Sequence, residues 1–137
     1  LDGAHNEAKI QSVAANLGSL KFRKLFLIFG IAHDKKIKAI IPRLIPLADQ
    51  VFFTSFKIPM QGRKCRPPAE LEKLSLKYKK PGATFKVYND PKQALKKALA
   101  LAAPEDCILV TGSFFLAGEL REKWYPEERI LKKRNSF

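Results

Sequence analysis

The sequence predicts an α/β domain: a three-layer sandwich in which a mostly parallel sheet carries helices on both faces. Three observations carry that expectation. Short runs rich in Leu, Ile, Val and Phe alternate with longer segments of helical periodicity, in five successive strand–helix units. Four of the strand ends carry Gly, Ser or Thr, at Leu1-Asp2-Gly3, Phe29-Gly30, Thr54-Ser55 and Thr111-Gly112-Ser113. The chain has 137 residues, 46% of them apolar and 28% charged, which suits one globular core rather than a disordered segment.

The first unit is LDGAHN (Leu1 to Asn6), which reads as the last residue of a strand, a tight turn and the start of an amphipathic helix. The expectation is therefore a single domain over 1–137 whose first strand is truncated. FRKLFLIFG, Phe22 to Gly30, is dense in apolar residues and reads as a buried strand. Lys35 to Leu47 has Ile37, Ile40, Ile41, Leu44 and Ile45 at helical spacing. Pro42 and Pro46 interrupt it, predicting a kinked or short helix, because proline removes a hydrogen bond and clashes with the preceding turn. Gln50 to Ser55 is the next strand, and Lys57 to Pro68 is a basic loop.

Pro67 and Pro68 suit the first turn of a helix running to Lys80, with Ala69, Leu71, Leu74 and Leu76 as its apolar positions. Pro81 and Gly82 stop it, and TFKVY (Thr84 to Tyr88) alternates as a short strand. Asp90 reads as an N-cap before Pro91, opening a helix to Ala103 with Ala94, Leu95, Ala98, Leu99 and Ala102 inward. Asp106 to Thr111 is the last strand, Gly112 and Ser113 turn it, and Phe114 to Lys123 forms a final helix. The tail from Trp124 is charged and reads as irregular.

A net charge of +13 attracts anions, whether nucleic acid, membrane surface, nucleotides or polycarboxylates. The lysines come as scattered pairs on the outer faces of helices, so much of this charge reads as a solvated surface. They are not interleaved with aromatic residues, and no nucleic-acid module signature occurs, so no nucleic-acid partner is expected. No apolar run reaches membrane-spanning length, and the amino end lacks the features of a signal peptide; no membrane partner and a cytoplasmic location are expected. Cys65 and Cys107 are too few for a disulfide framework and lack metal-ligand spacing, with Cys107 reading as a buried thiol. No metal site is expected.

In parallel sheets, ligands bind beyond the carboxyl ends of the strands, and the polar residues of interest collect there. At Asp2-Gly3-Ala4-His5, a helix start favours an anion, His5 can bond a phosphate or carboxylate oxygen, and Asp2 can accept from a hydroxyl or an ammonium. Equally, Asp2 can cap the helix while His5 is exposed. Gly112 and Ser113 repeat that logic, against the alternative of a capped helix behind a tight turn. Gly30 and Asp34 make a third such turn, with the cap reading the stronger. Arg63 and Arg66 can clamp a carboxylate or be solvated, and His33 reads as an ordinary loop residue. The sequence has neither a glycine-rich phosphate loop ending in Lys-Ser/Thr nor GxGxxG, and no Ser-His-Asp set.

LDGAHN followed by an amphipathic helix resembles the opening of the carboxy-terminal domain of the folylpolyglutamate synthases, enzymes of the Mur ligase superfamily often bifunctional with dihydrofolate synthase. FGIAHDKKIKAIIPRLIPLADQVFFT, RPPAEL and ILVTGSFFLAGELR (Ile108 to Arg121) continue the resemblance in order, over nearly the whole chain. It implies a Rossmann-like domain of an ATP-dependent amide ligase, an enzyme in its full length and inactive as this piece alone. Such enzymes use ATP and Mg to activate a folate carboxylate, which the amino group of glutamate then attacks.

The resemblance assigns the phosphate loop, the metal ligands and most of the folate or dihydropteroate site to an amino-terminal ATPase domain. It matches Asp2 and His5 to contacts with nucleotide and glutamate, and Ser113 to a glutamate contact, with Gly3, Asn6 and Gly112 supporting the turns. His33 and Lys36 depart from the family's usual residues, and its Asn-Pro-Arg-like loop is blurred, so Arg63 and Arg66 receive no role. The alternatives are a Mur peptidoglycan ligase domain, whose equivalent turn usually differs from DGAHN, and a non-catalytic basic module binding anions or nucleic acid.

Overall fold

The computed structural model of the chain describes residues 7–121. The turn holding Asp2, Gly3, His5 and Asn6 lies outside the described residues, as does the tail from Trp124. In order, the elements are α1 (Glu7–Ser19), β1 (Leu25–Phe29), α2 (Ile37–Leu44), β2 (Gln50–Thr54), α3 (Pro68–Ser75), β3 (Thr84–Tyr88), α4 (Pro91–Leu101), β4 (Cys107–Thr111) and α5 (Phe114–Arg121). Each strand expected within the described residues is present; β3 has the expected bounds and the other three are shorter by a residue or more.

The four strands form one sheet in the order β3-β2-β1-β4, with every pairing parallel. All five residues of β1, Leu-Phe-Leu-Ile-Phe, are buried, as a central strand covered on both faces requires. Side chains of β1 alternate between two cores. Leu25, Leu27 and Phe29 pack with residues of α1, α2 and α3, while Phe26 and Ile28 pack with those of α4 and α5. The expected three layers are thus observed. The chain steps outward through β1, α2, β2, α3 and β3, then crosses the opposite face as α4 and returns to β4 beside β1. The direction of the connections reverses between β1 and β4, the place where parallel sheets open a crevice.

Local chemistry explains the helix ends. Pro42 lies inside α2, which stops at Leu44 and continues as a 3-10 turn, Ile45–Leu47, with Pro46 near its start. Asp90 caps α4 by accepting from the Lys92 N–H at 2.9 Å. Three expectations need correction. In α3 the inward positions are Pro68, Leu71 and Ser75, so Leu74 and Leu76 fall off the stripe and are 41% and 55% exposed. In α4, Leu99 likewise faces out, and the core side is Pro91, Ala94, Leu95 and Ala98. Cys107 is half-buried rather than buried, and its desolvation pushes the thiol pKa up.

Two carboxylates brace the amino ends of the strands. Asp49 accepts from the Leu25 N–H and from Lys80 Nζ, each at 2.8 Å, tying β1 to the turn before β3. Partial burial opposes its ionisation, but these two donors outweigh that and hold its carboxyl below the ordinary value. Asp106 accepts both Arg23 Nε at 3.0 Å and Arg23 Nη2 at 3.1 Å, and also the Ala103 N–H at 2.8 Å. Arg23 thereby lowers the Asp106 carboxyl from 3.8 to about 2.

At the carboxyl ends, β1 and β4 come together through glycines. Gly112 has φ +108°, and a Cβ there would meet the Gly30 carbonyl oxygen and the Phe29 ring, the latter at 2.8 Å. Gly82 also has positive φ, +83°, but nothing lies within 4 Å of its would-be Cβ. Gly112→Ala should therefore cost ~3 kcal/mol or more, since strain and overpacking add, while Gly82→Ala costs only ~1 kcal/mol. Chemical unfolding of both variants checks this, and equal losses would contradict it.

The Arg23–Asp106 pair sets a pH signature. A depressed carboxyl contributes stability above its unfolded value and loses it as pH falls through its folded value. The stability gap between the native chain and Arg23→Ala should be full above pH 3.8 and close as pH falls towards about 2. A gap that stays constant across an acid titration of unfolding would refute this.

Candidate functional site

Beyond Gly30, residues 31–36 lead to α2, and the far end of the loop after β2 folds back against them. Ala32 and Cys65 form an antiparallel bridge, the His33 N–H donates to the Lys64 carbonyl at 2.9 Å, and the Arg66 N–H donates to the Ile31 carbonyl at 2.7 Å. Two loops remote in sequence thus make one wall. The facing wall is the turn from β4 into α5. Ser113 is only 4% exposed, and its Oγ accepts from the Phe115 N–H at 3.1 Å. The capped-helix reading of this turn holds locally. The same cap also forms part of a cleft.

That cleft has a volume of about 210 Å³ and lies between Gly112, Ser113 and Phe114 on one side and Ala32, Lys35 and Arg63 on the other. A neighbouring cleft of about 370 Å³ is lined by His33, Asp34, Lys64 and Cys65 and shares Arg63. The shared arginine is weakly committed. Its Nη2 reaches Asp34 Oδ1 at 3.3 Å, its Nη1 reaches the Met60 sulfur at 3.6 Å, and its Nε is buried without a partner. Partial desolvation opposes ionisation of Asp34, but the Arg63 hydrogen bond and charge prevail and hold its carboxyl below the ordinary value.

The smaller cleft therefore offers two cations, a serine hydroxyl and the amino end of α5, whose first-turn N–H groups carry partial positive charge. Phe114, 70% exposed, adds an apolar surface at its rim. Such a set suits a small anion bearing a carboxylate. The structure brings Gly112, Ser113 and Arg63 together. It leaves His33 an exposed loop residue and turns Arg66 away from both clefts, onto loop carbonyls. Lys35 and Phe114 line the cleft although the sequence had marked them only as helix residues. Arg63, in the basic loop, was the signal available. Among the described residues, no group of three His, Cys, Asp or Glu side chains is placed to hold a metal, and no helix is long and apolar enough to cross a membrane.

The family model of the Mur ligase, glutamate ligase domain, matches residues 1–114. The chain belongs to this family. A Halobacterium salinarum protein described as a probable bifunctional folylpolyglutamate synthase/dihydropteroate synthase is 31% identical over 125 residues, 90% of this chain and 14% of that protein. Among solved structures, Mycobacterium tuberculosis folylpolyglutamate synthase complexed with ADP and AMPPCP superposes with TM-score 0.78 at 25% identity, covering 90% of this chain and 29% of that one. E. coli FolC in complex with DHPP and ADP superposes with TM-score 0.77 at 23% identity, covering 90% and 28%. The glutamate ligase domain chain thus spans a small part of the proteins it matches.

Ser113 has a stability role separable from any ligand. Ser113→Ala removes the cap of α5 and should lower unfolding free energy by about 1 kcal/mol. Thermal and chemical unfolding of the 137-residue chain measure it, and an unchanged midpoint would show that the cap bond carries no weight.

Proposed function

We propose that this chain is the carboxy-terminal, amino-acid-binding portion of an ATP-dependent ligase that adds glutamate to folate. One observation carries the reading: a cation-lined, serine-capped cleft sits at the reversal point of the sheet in a chain of the glutamate ligase domain family. Glutamate brings two carboxylates and an ammonium. Arg63 Nη1 and Nη2 each make a single contact and so keep N–H groups for a carboxylate, Lys35 adds charge, and Ser113 can donate its hydroxyl proton.

The role of such a site is orientation and charge neutralisation. With its carboxylates held, glutamate presents its amino nitrogen to the activated carboxylate of the folate. The ammonium gives one proton to solvent, the free amine attacks the carbonyl carbon, and a second proton leaves the nitrogen to solvent or to the departing phosphate. A C–N bond forms, the C–O bond to the leaving phosphate breaks, and an amide results. MgATP supplies the activating phosphoryl group in such ligases. Among the described residues no group is placed to hold a metal, and the sequence has no phosphate loop, so this reading gives most of the nucleotide and metal binding to another part of the protein. That part is an amino-terminal ATPase domain, the partner this reading requires.

Topology supports the assignment of the DGAHN turn. α1 packs on the same face as α2, so a strand leading into α1 by a right-handed crossover would lie along the edge of β4 that is unpaired among the described residues. The family resemblance assigns Asp2 and His5 to contacts with nucleotide and glutamate, with Gly3 and Asn6 supporting their turn, and this reading keeps that assignment. The names of the relatives favour folate over peptidoglycan as the acceptor class.

In the full-length protein, Arg63→Ala and His5→Ala should each reduce glutamate-dependent ATP turnover by roughly a hundredfold at subsaturating glutamate. Circular dichroism should show the fold retained. Native turnover in both variants would remove these residues from the site.

A further inference from the structure

We propose that Arg66 is a positioning residue for the amino-acid substrate, acting by locking the two loops that form the cation-bearing wall of the cleft; this rests on the functional reading above. Its side chain is 15% exposed and lines neither cleft. Its two terminal nitrogens are already engaged, while its Nε, like that of Arg63, is buried without a partner. Nη2 donates to the His33 carbonyl at 2.8 Å and to the Lys35 carbonyl at 3.4 Å, while Nη1 donates to Glu70 Oε1 at 2.9 Å. Its backbone N–H holds the Ile31 carbonyl at 2.7 Å.

One residue thus fastens three successive parts of the β1–α2 connection to the loop that carries Arg63, and anchors both to the first turn of α3 through Glu70. The residue whose carbonyl it holds, Lys35, is itself a cleft residue, and Arg63 lies three positions before the clamp. The main-chain bridge at Ala32 and Cys65 joins the two loops, and this guanidinium adds the side-chain lock that fixes the carbonyl of Lys35 relative to the loop carrying Arg63. Without it the His33 and Lys35 carbonyls would be free to turn to water, and only the main-chain bonds around the Ala32–Cys65 bridge would hold the loops in register. A planar fork serves the carboxylate from one nitrogen and both carbonyls from the other; a lysine ammonium has no such geometry.

The test uses the full-length protein, with separate KM values for glutamate and ATP in Arg66→Ala and Arg66→Lys. Both variants should raise the glutamate KM by roughly tenfold or more, since displacing positioning groups by about an ångström suffices for that. The ATP KM should stay within about twofold and the cooperative thermal transition should persist. A purely structural role would lower the melting temperature and the active fraction without moving the glutamate KM of the folded protein, and that result overturns the proposal. So does a native glutamate KM in Arg66→Lys, or an equal rise in both KM values. If neither Arg66 variant folds, Glu70→Gln, which loosens only the anchor, should raise the glutamate KM by about threefold, and no change overturns the proposal. Absence of glutamate-dependent turnover in the unsubstituted protein would instead overturn the functional reading itself, and this assignment with it.

Discussion

The contact between Gly112 and the Gly30 carbonyl is the constraint on which the rest of the site depends. It lets the carboxyl ends of β4 and β1 meet without a side chain between them. At Gly30 a Cβ would press on the Thr54 carbonyl oxygen at 2.7 Å, so the end of β2 is drawn into the same junction. Three strand ends are therefore close-packed backbone to backbone. The loops that leave them have to spread outward, and the cleft is the space they leave. Interiors packed at crystal-like density transmit any displacement here directly to those loops.

Stability and function are distributed to opposite ends of the sheet. At the amino ends, Asp49 and Asp106 are fully engaged by backbone N–H groups and cationic partners, which fixes strand register and leaves no group unspent. At the carboxyl ends the opposite holds. Arg63 has a long bond to Asp34, a weak contact to sulfur and a buried Nε without a partner. A cation so poorly satisfied is costly in an isolated fold and useful in one that closes over an anion. The proposed glutamate site uses that deficit, and a second domain closing over the cleft would add desolvation to it.

The overall charge of +13 fits this arrangement without requiring a nucleic-acid surface. The described lysines are spread over loops, turns and helices rather than mainly over helix faces, and away from the cleft they act by general attraction of anions. Among the described residues, Lys35 and Arg63 are the basic ones that line the cleft. Attraction over the whole surface and recognition at one place are separate effects, and only the second needs the tertiary structure.

The sequence by itself determined the α/β alternation, the place of each strand within the described residues, the break in α2 at its prolines, the cap at Asp90 and the glycine turn after β4. These are decided by neighbours within a few residues: periodicity, proline geometry, and side chains that bond the adjacent backbone. The motifs around LDGAHN and ILVTGSFFLAGELR also determined the family. What only the tertiary structure decided was which of the basic-loop arginines faces the cleft. Arg63 and Arg66 are chemically alike and three residues apart, and no local rule separates them. The Ala32–Cys65 bridge sets their directions, sending Arg66 onto the carbonyls of His33 and Lys35 and leaving Arg63 at the opening. The same holds for Leu74 and Leu76, whose exposure follows from how α3 meets the sheet. Side-chain direction in a loop, and the inward edge of a two-turn helix, depend on contacts between residues far apart in the chain.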